Sequence, residues 1–165
     1  MHEADLALLM LRVAAGLTMA YHGFNKTRGL AGTAKWFESM GMRPGAVHAR
    51  LAAFTEIGAG LALAAGLLTP FAGAAFVGLM LVAGVVSHRK NGFFIFNKGE
   101  GWEYVMMLAV IGLFLAMTGA GRYSLDNALD LSLDEWVGTV IGLGGAIGGA
   151  ALLGVGWRPA KGSPQ

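Results

Sequence analysis

Cysteine is absent from this 165-residue chain, and only 13% of its residues are charged. The first absence excludes disulfide frameworks, Cys-ligated zinc, iron–sulfur clusters and any relay of electrons through thiols. The second excludes an ordinary soluble enzyme, in which about 25% of residues are charged. A disordered chain is excluded too, because it combines low hydrophobicity with high charge. The formal net charge is +2, far from the dense positive field that nucleic acid calls for. What is present in quantity is apolar sequence, 55% of residues, together with 27 glycines. That balance describes a multi-pass membrane protein whose first partner is the lipid bilayer.

An apolar run of about 17–25 residues crosses a bilayer core as a helix. Five spans emerge from a search for such runs, at 6–24, 52–68, 71–87, 103–117 and 137–156. The second and third are separated only by Thr69 and Pro70, and Pro is tolerated at a helix start, so they read as a tight helical hairpin. The first span follows an acidic flank, Glu3 and Asp5. A signal peptide has a basic flank and a shorter apolar run, so this span reads as a retained helix. Basic residues set the orientation. Lys26, Arg28, Lys35, Arg43 and Arg50 follow span one, Arg89, Lys90 and Lys98 follow span three, and Arg158 and Lys161 follow span five. Five spans put all of these on one side, and the positive-inside rule makes that side cytoplasmic, with the N-terminus outside.

The expected architecture is therefore an all-α membrane protein. Residues 1–126 form a four-helix transmembrane bundle. Residues 127–165 supply an outer loop, a fifth Gly-rich transmembrane helix and a short cytoplasmic tail. Within the first cytoplasmic loop, residues 33–42 place Trp36, Phe37 and Met40 on one helical face. Thr33 as the N-cap and Gly41 as the stop would delimit an interfacial helix. The loop from Arg89 to Trp102 is rich in Phe and reads as an aromatic belt at the headgroups or as a gate over a cavity. Asp126 and Asp130 share a face if the outer loop is helical, which reads as a solvated acidic face. Methionines such as Met80, Met106 and Met107 read as core filler.

Ionisable groups within spans are costly and mark candidate sites. His22 ends span one, Glu56 starts span two, His88 ends span three and Glu103 starts span four. All four fall at the cytoplasmic end, and Lys26 lies one turn beyond His22 on the same face. Gly60 and Gly84, one turn deeper than Glu56 and His88, could leave space above this layer. Three readings are open: a structural hydrogen-bonded network, a site for a quinone or lipid head group, and a metal site. The last lacks the Glu-x-x-His pattern of bundle di-metal proteins, and no metal is assigned. Arg12 lies about 15 Å further out at 1.5 Å per residue. It is expected to pair with an outer acid such as Asp126 or to snorkel outward, with an anionic substrate as the functional alternative. In span five, Gly138 and Gly142, Gly144 and Gly148, and Gly145 and Gly149 form small-xxx-small pairs. Gly138, Gly142, Gly145 and Gly149 serve either packing within the chain or a homo-oligomer or other membrane partner.

Taken together, these residues resemble the DoxX family of small bacterial membrane proteins. The matching pieces are Arg12-x-x-x-Gly16, His22-Gly23-x-x-Lys26, Glu56-x-x-x-Gly60, Gly66-Leu67-Leu68-Thr69-Pro70, His88 with Gly92-Phe93-Phe94, Gly101-Trp102-Glu103-Tyr104, and the run from Gly119 to Asp126. The resemblance implies a four-helix bundle in the bacterial inner membrane. It also implies a loose link to oxidoreductases, including a thiosulfate:quinone oxidoreductase subunit. The fifth span and the absence of cysteine depart from that pattern. The leading expectation is a membrane subunit of a redox complex that binds a quinone at the His/Glu layer, with no cofactor motif of its own and electrons arriving from a partner. The alternatives are a docking or assembly protein without chemistry and a small transporter. No polar residue crosses the middle of spans two to five, which weighs against the transporter.

Overall fold

The computed structural model describes residues 2–159, so Lys161 lies outside the described residues. Seven helices follow one another: α1 His2–Thr27, α2 Leu30–Ser39, α3 Gly45–Ala65, α4 Thr69–Ala83, α5 Glu103–Thr118, α6 Leu125–Ala128 and α7 Glu135–Gly156. α4 runs on into a π-helical turn, Gly84–His88. Among the described residues there is no strand, only an isolated antiparallel bridge between Met42 and Trp157. The protein is an all-α membrane protein built on five long helices. α1, α4 with its π turn, and α7 are each long and apolar enough to cross a membrane. α5 is equally apolar but shorter, at 16 residues.

The helices differ from the sequence expectation mainly at their ends. α3 starts at Gly45, just after Pro44, not at residue 52. Its first two turns carry His48 and Arg50, and a hydropathy window registers lipid immersion rather than helicity. α2 starts at Leu30 with Gly29 as its N-cap, and the Thr33 hydroxyl instead donates back to the Gly29 carbonyl. The hairpin between α3 and α4 is as tight as expected. Gly66 closes α3 in the left-handed region at φ 67°, a conformation without steric cost for glycine, and Pro70 lies in the first turn of α4. The outer acidic segment is not one helix. α6 is a single turn that buries Asp126, while Asp130 is exposed beyond it at φ 55°.

α4 is the central helix. α3, α5 and α7 pack on it, and α1 packs on α3. Met19, Leu63, Phe76 and Leu115 form the buried centre of the bundle. Without a hydrophobic force between helices in lipid, close backbone approach holds them together. Gly16 of α1 and Gly60 of α3 face each other, so that a Cβ on either would strike the other's carbonyl oxygen. The α7 ladder works the same way inside the chain. Gly138 and Gly142 lie against Ala116 of α5, and Gly145 and Gly149 against the Ala74 and Gly78 carbonyls of α4. By contrast, added Cβ atoms at Gly144 and Gly148 meet nothing. Gly145→Ala is therefore expected to destabilise the protein by about 1–3 kcal/mol, and Gly144→Ala to change stability by less than about 0.5 kcal/mol. Thermal unfolding of the two variants in detergent checks this, and equal midpoints would contradict it.

Candidate functional site

The most conspicuous charged group inside the bundle is Glu56. It is 6% exposed on α3, and both of its oxygens accept from Lys26 Nζ of α1, at 2.8 and 2.6 Å. Local sequence makes the pairing possible. Gly23 lies between His22 and Lys26, and a Cβ there would strike the Ala53 carbonyl and the Glu56 side chain. α1 therefore approaches α3 closely enough for the lysine to reach. His22, one turn before Lys26, places Nε2 3.4 Å from the Tyr104 hydroxyl of α5. The two rings are tilted, with centroids 6.0 Å apart. His22 and Tyr104 both lie within electrostatic reach of Glu56. Three helices thus contribute one carboxylate, one ammonium, one imidazole and one phenol. These groups can neutralise charge, donate and accept hydrogen bonds, and pass a proton.

His88 and Glu103 do not join this group. His88 Nδ1 donates to the Glu100 carbonyl at 2.9 Å, and Glu103 accepts from the Ile95 N–H at 3.1 Å. Both side chains brace the 89–102 loop instead. For His88, the π turn at Gly84–His88 also changes the register. One additional residue per turn rotates the following side chain by roughly 100°, so a register counted at 3.6 residues per turn misplaces His88. The anticipated space beside Gly60 is absent, and that beside Gly84 is bounded by Val105. Gly60 is filled by the backbone of Gly16 and Ala20, and a Cβ on Gly84 would already touch Val105.

Arg12 is a separate matter. It is 1% exposed, and its guanidinium donates to the Ala64 and Tyr123 carbonyls, with a favourable electrostatic pull from Asp126. Asp126 itself accepts from the Leu68 and Thr69 N–H groups at 2.6 and 2.9 Å, at the start of α4. Arg12 neither snorkels nor opens toward a substrate. It ties α1, the α3–α4 hairpin and the outer loop into one knot. Among the described residues, no group of three His, Asp or Glu side chains is placed to hold a metal ion.

Space is found elsewhere. A groove of about 400 Å³ runs along α4, between α3 and α7. Leu51, Ala52 and Thr55 form one wall, Gly144, Gly148 and Leu152 the other, and Ala74, Gly78 and Val82 the floor. His48 lies at one end. Hydropathy alone leaves His48 in the loop before residue 52. Pro44-Gly45 as a helix start was the signal that would have put it in α3. Tyr104 was equally legible only as the neighbour of Glu103.

The end of the bundle that holds these features is also the basic one. Lys26, Arg28, Lys35, Arg43, Arg50, Arg89, Lys90, Lys98 and Arg158 all lie on it. It is stitched together by the backbone. The Arg43 N–H donates to the Gly156 carbonyl at 2.8 Å and the Arg158 N–H to the Gly41 carbonyl at 2.7 Å. The Arg89 guanidinium lies 5.2 Å from the centre of the Trp157 ring.

The DoxX family model matches residues 7–89, the stretch from α1 to the π turn. An Escherichia coli (strain K12) protein named "Inner membrane protein YqjF" is 32% identical over 131 residues, covering 76% of this chain and 94% of the relative. A Bacillus subtilis (strain 168) protein named "Putative oxidoreductase CatD" is 30% identical over 122 residues, covering 74% of this chain and 86% of the relative. No solved structure matches.

Proposed function

The chain belongs to the DoxX family, and from that premise we propose that it is an inner-membrane subunit of a redox complex. Its site for a quinone or lipid head group is the group of Lys26, Glu56, His22 and Tyr104. The observation that carries this reading is the burial of Glu56 on Lys26 beside the His22–Tyr104 contact. An ionisable set at one end of a bundle is a head-group site by its chemistry. The imidazole or phenol donates to a quinone oxygen, and the carboxylate relays inward the protons that the quinone takes up as it gains electrons. Electrons come from a partner protein, since the chain has no cysteine and no cofactor motif. The names of the two relatives support the location and the redox association. The basic end faces the cytoplasm, which puts the N-terminus outside.

Gentle purification is expected to recover the protein with close to one quinone per chain. His22→Ala and Glu56→Gln are each expected to lower that ratio at least about tenfold, as losing a charge-assisted hydrogen bond requires. Unchanged quinone content in both variants would overturn the reading.

One observation favours a second reading. Lys26 and Glu56 already satisfy each other, and the 400 Å³ groove lies on a different flank of α3. A docking subunit without chemistry needs no more than this. It would copurify stoichiometrically with a protein partner and carry no quinone in the wild type.

A further inference from the structure

The groove between α3 and α7 has a shape and a chemistry that the Lys26–Glu56 group does not use. It extends along α4 from Phe71 to Val82, a length of about 16 Å at 1.5 Å per residue. Its volume of about 400 Å³ is spread along that length as a narrow slot, a shape suited to an extended chain. A transmembrane helix is 10–12 Å across with its side chains and would not enter. The glycines make the groove. Gly144 and Gly148 line it with no side chain, while Gly78 lets α7 close on α4, with the Gly145 carbonyl where its Cβ would be.

The polar side chains that line the groove are Thr55 on the α3 wall and His48 at one end. No Lys, Arg, Asp or Glu lines it. His48 is there, 7% exposed, and its Nδ1 is buried with no hydrogen-bond partner. The other ring nitrogen lies 3.3 Å from the Arg43 carbonyl, and Gly156 packs directly on the ring. A buried imidazole nitrogen without a partner is costly and calls for one. Because a carbonyl can only accept, Nε2 carries the proton when it serves the Arg43 carbonyl. Nδ1 of the neutral ring is then a free acceptor, suited to a hydroxyl.

We propose that this groove binds a single-chain neutral lipid, its hydrocarbon or isoprenoid chain along α4 between α3 and α7 and its uncharged hydroxyl head on His48. Charge selects the head: with no basic side chain along the groove, a phosphate would be desolvated without a partner. The site is independent of the head-group site proposed at Glu56, which faces α1.

Photolabelling of the full chain in nanodiscs tests the proposal, with hexadecanol carrying a diazirine on its chain as the probe. The expected result is saturable labelling confined to α3, α4 and α7 peptides and competed by unlabelled hexadecanol. Gly148→Leu projects a side chain into the groove from a position where an added Cβ meets nothing, and is expected to reduce labelling at least about fivefold. His48→Leu is expected to weaken it about fivefold through the lost hydrogen bond. His22→Ala leaves it unchanged, which separates this site from the one at Glu56. Labelling spread over every lipid-facing helix, or unaltered in Gly148→Leu, would overturn the proposal. So would equal saturable labelling by a phosphatidylcholine carrying the same diazirine.

Discussion

Glu56→Ala is expected to destabilise the bundle by about 3 kcal/mol, the lower part of the range for breaking a buried ion pair. The substitution leaves the Lys26 ammonium at the α1–α3 contact without the carboxylate that holds it. The lysine side chain is 22% exposed, so it recovers part of the loss by turning toward water or lipid headgroups. Lys26→Met combined with Glu56→Met removes both charges together and is expected to return to within about 1 kcal/mol of the wild type. Thermal unfolding in detergent of the wild type, Lys26→Met, Glu56→Met and the double variant closes a double-mutant cycle that gives the coupling directly. A Glu56→Ala midpoint equal to that of the wild type would show that the pair carries no structural weight. The same cycle bears on function. If the double variant is stable but purifies without quinone, the charges serve the ligand rather than the fold.

A loss of similar size is expected at the opposite end of the bundle. Asp126→Ala should cost about 3 kcal/mol, because hydrogen bonds to a charged group contribute about 1.5–3 kcal/mol each. Two backbone N–H groups at the start of α4 lose their acceptor. The buried Arg12 guanidinium loses the electrostatic pull of that carboxylate at the same time. The α3–α4 hairpin would then be held chiefly by its glycine turn and the Asp126 N–H donating to the Gly66 carbonyl. Asp126→Asn keeps an acceptor oxygen without the charge and is expected to recover about half of the loss. The yield of folded protein and the unfolding midpoint of the two variants check this. A wild-type midpoint in Asp126→Ala would mean that the outer knot is dispensable.

These two ends were not equally legible. Lys26 and Glu56 could be brought to one depth by counting spans, since a helix end and the next helix start share a side of the membrane. Their contact further required Gly23, whose missing side chain lets α1 close on α3. His88 and Glu103 were placed at that depth by the same counting, but the π turn at Gly84–His88 and the hydrogen bonds of the 89–102 loop direct them elsewhere. Arg12 and Asp126 were suspected as partners from their shared side, yet each is held by backbone groups of other segments. Helix periodicity has no means of announcing a carbonyl that becomes free only where a hairpin turns.

The glycines of α7 make the same point. Six of them form three equivalent pairs in the sequence, and nothing in their spacing distinguishes an inner face from an outer one. Rotation of α7 against α4 and α5 is what commits Gly138, Gly142, Gly145 and Gly149 to packing and leaves Gly144 and Gly148 on the groove.

The sequence by itself determined the class, the five long helices and the basic end. Run length, hydropathy and charge asymmetry are local properties that a bilayer reads directly. Only the tertiary structure decided which ionisable groups meet, which glycines face inward and where space remains. Those outcomes depend on the rotation and close approach of helices, which backbone contacts between distant segments set.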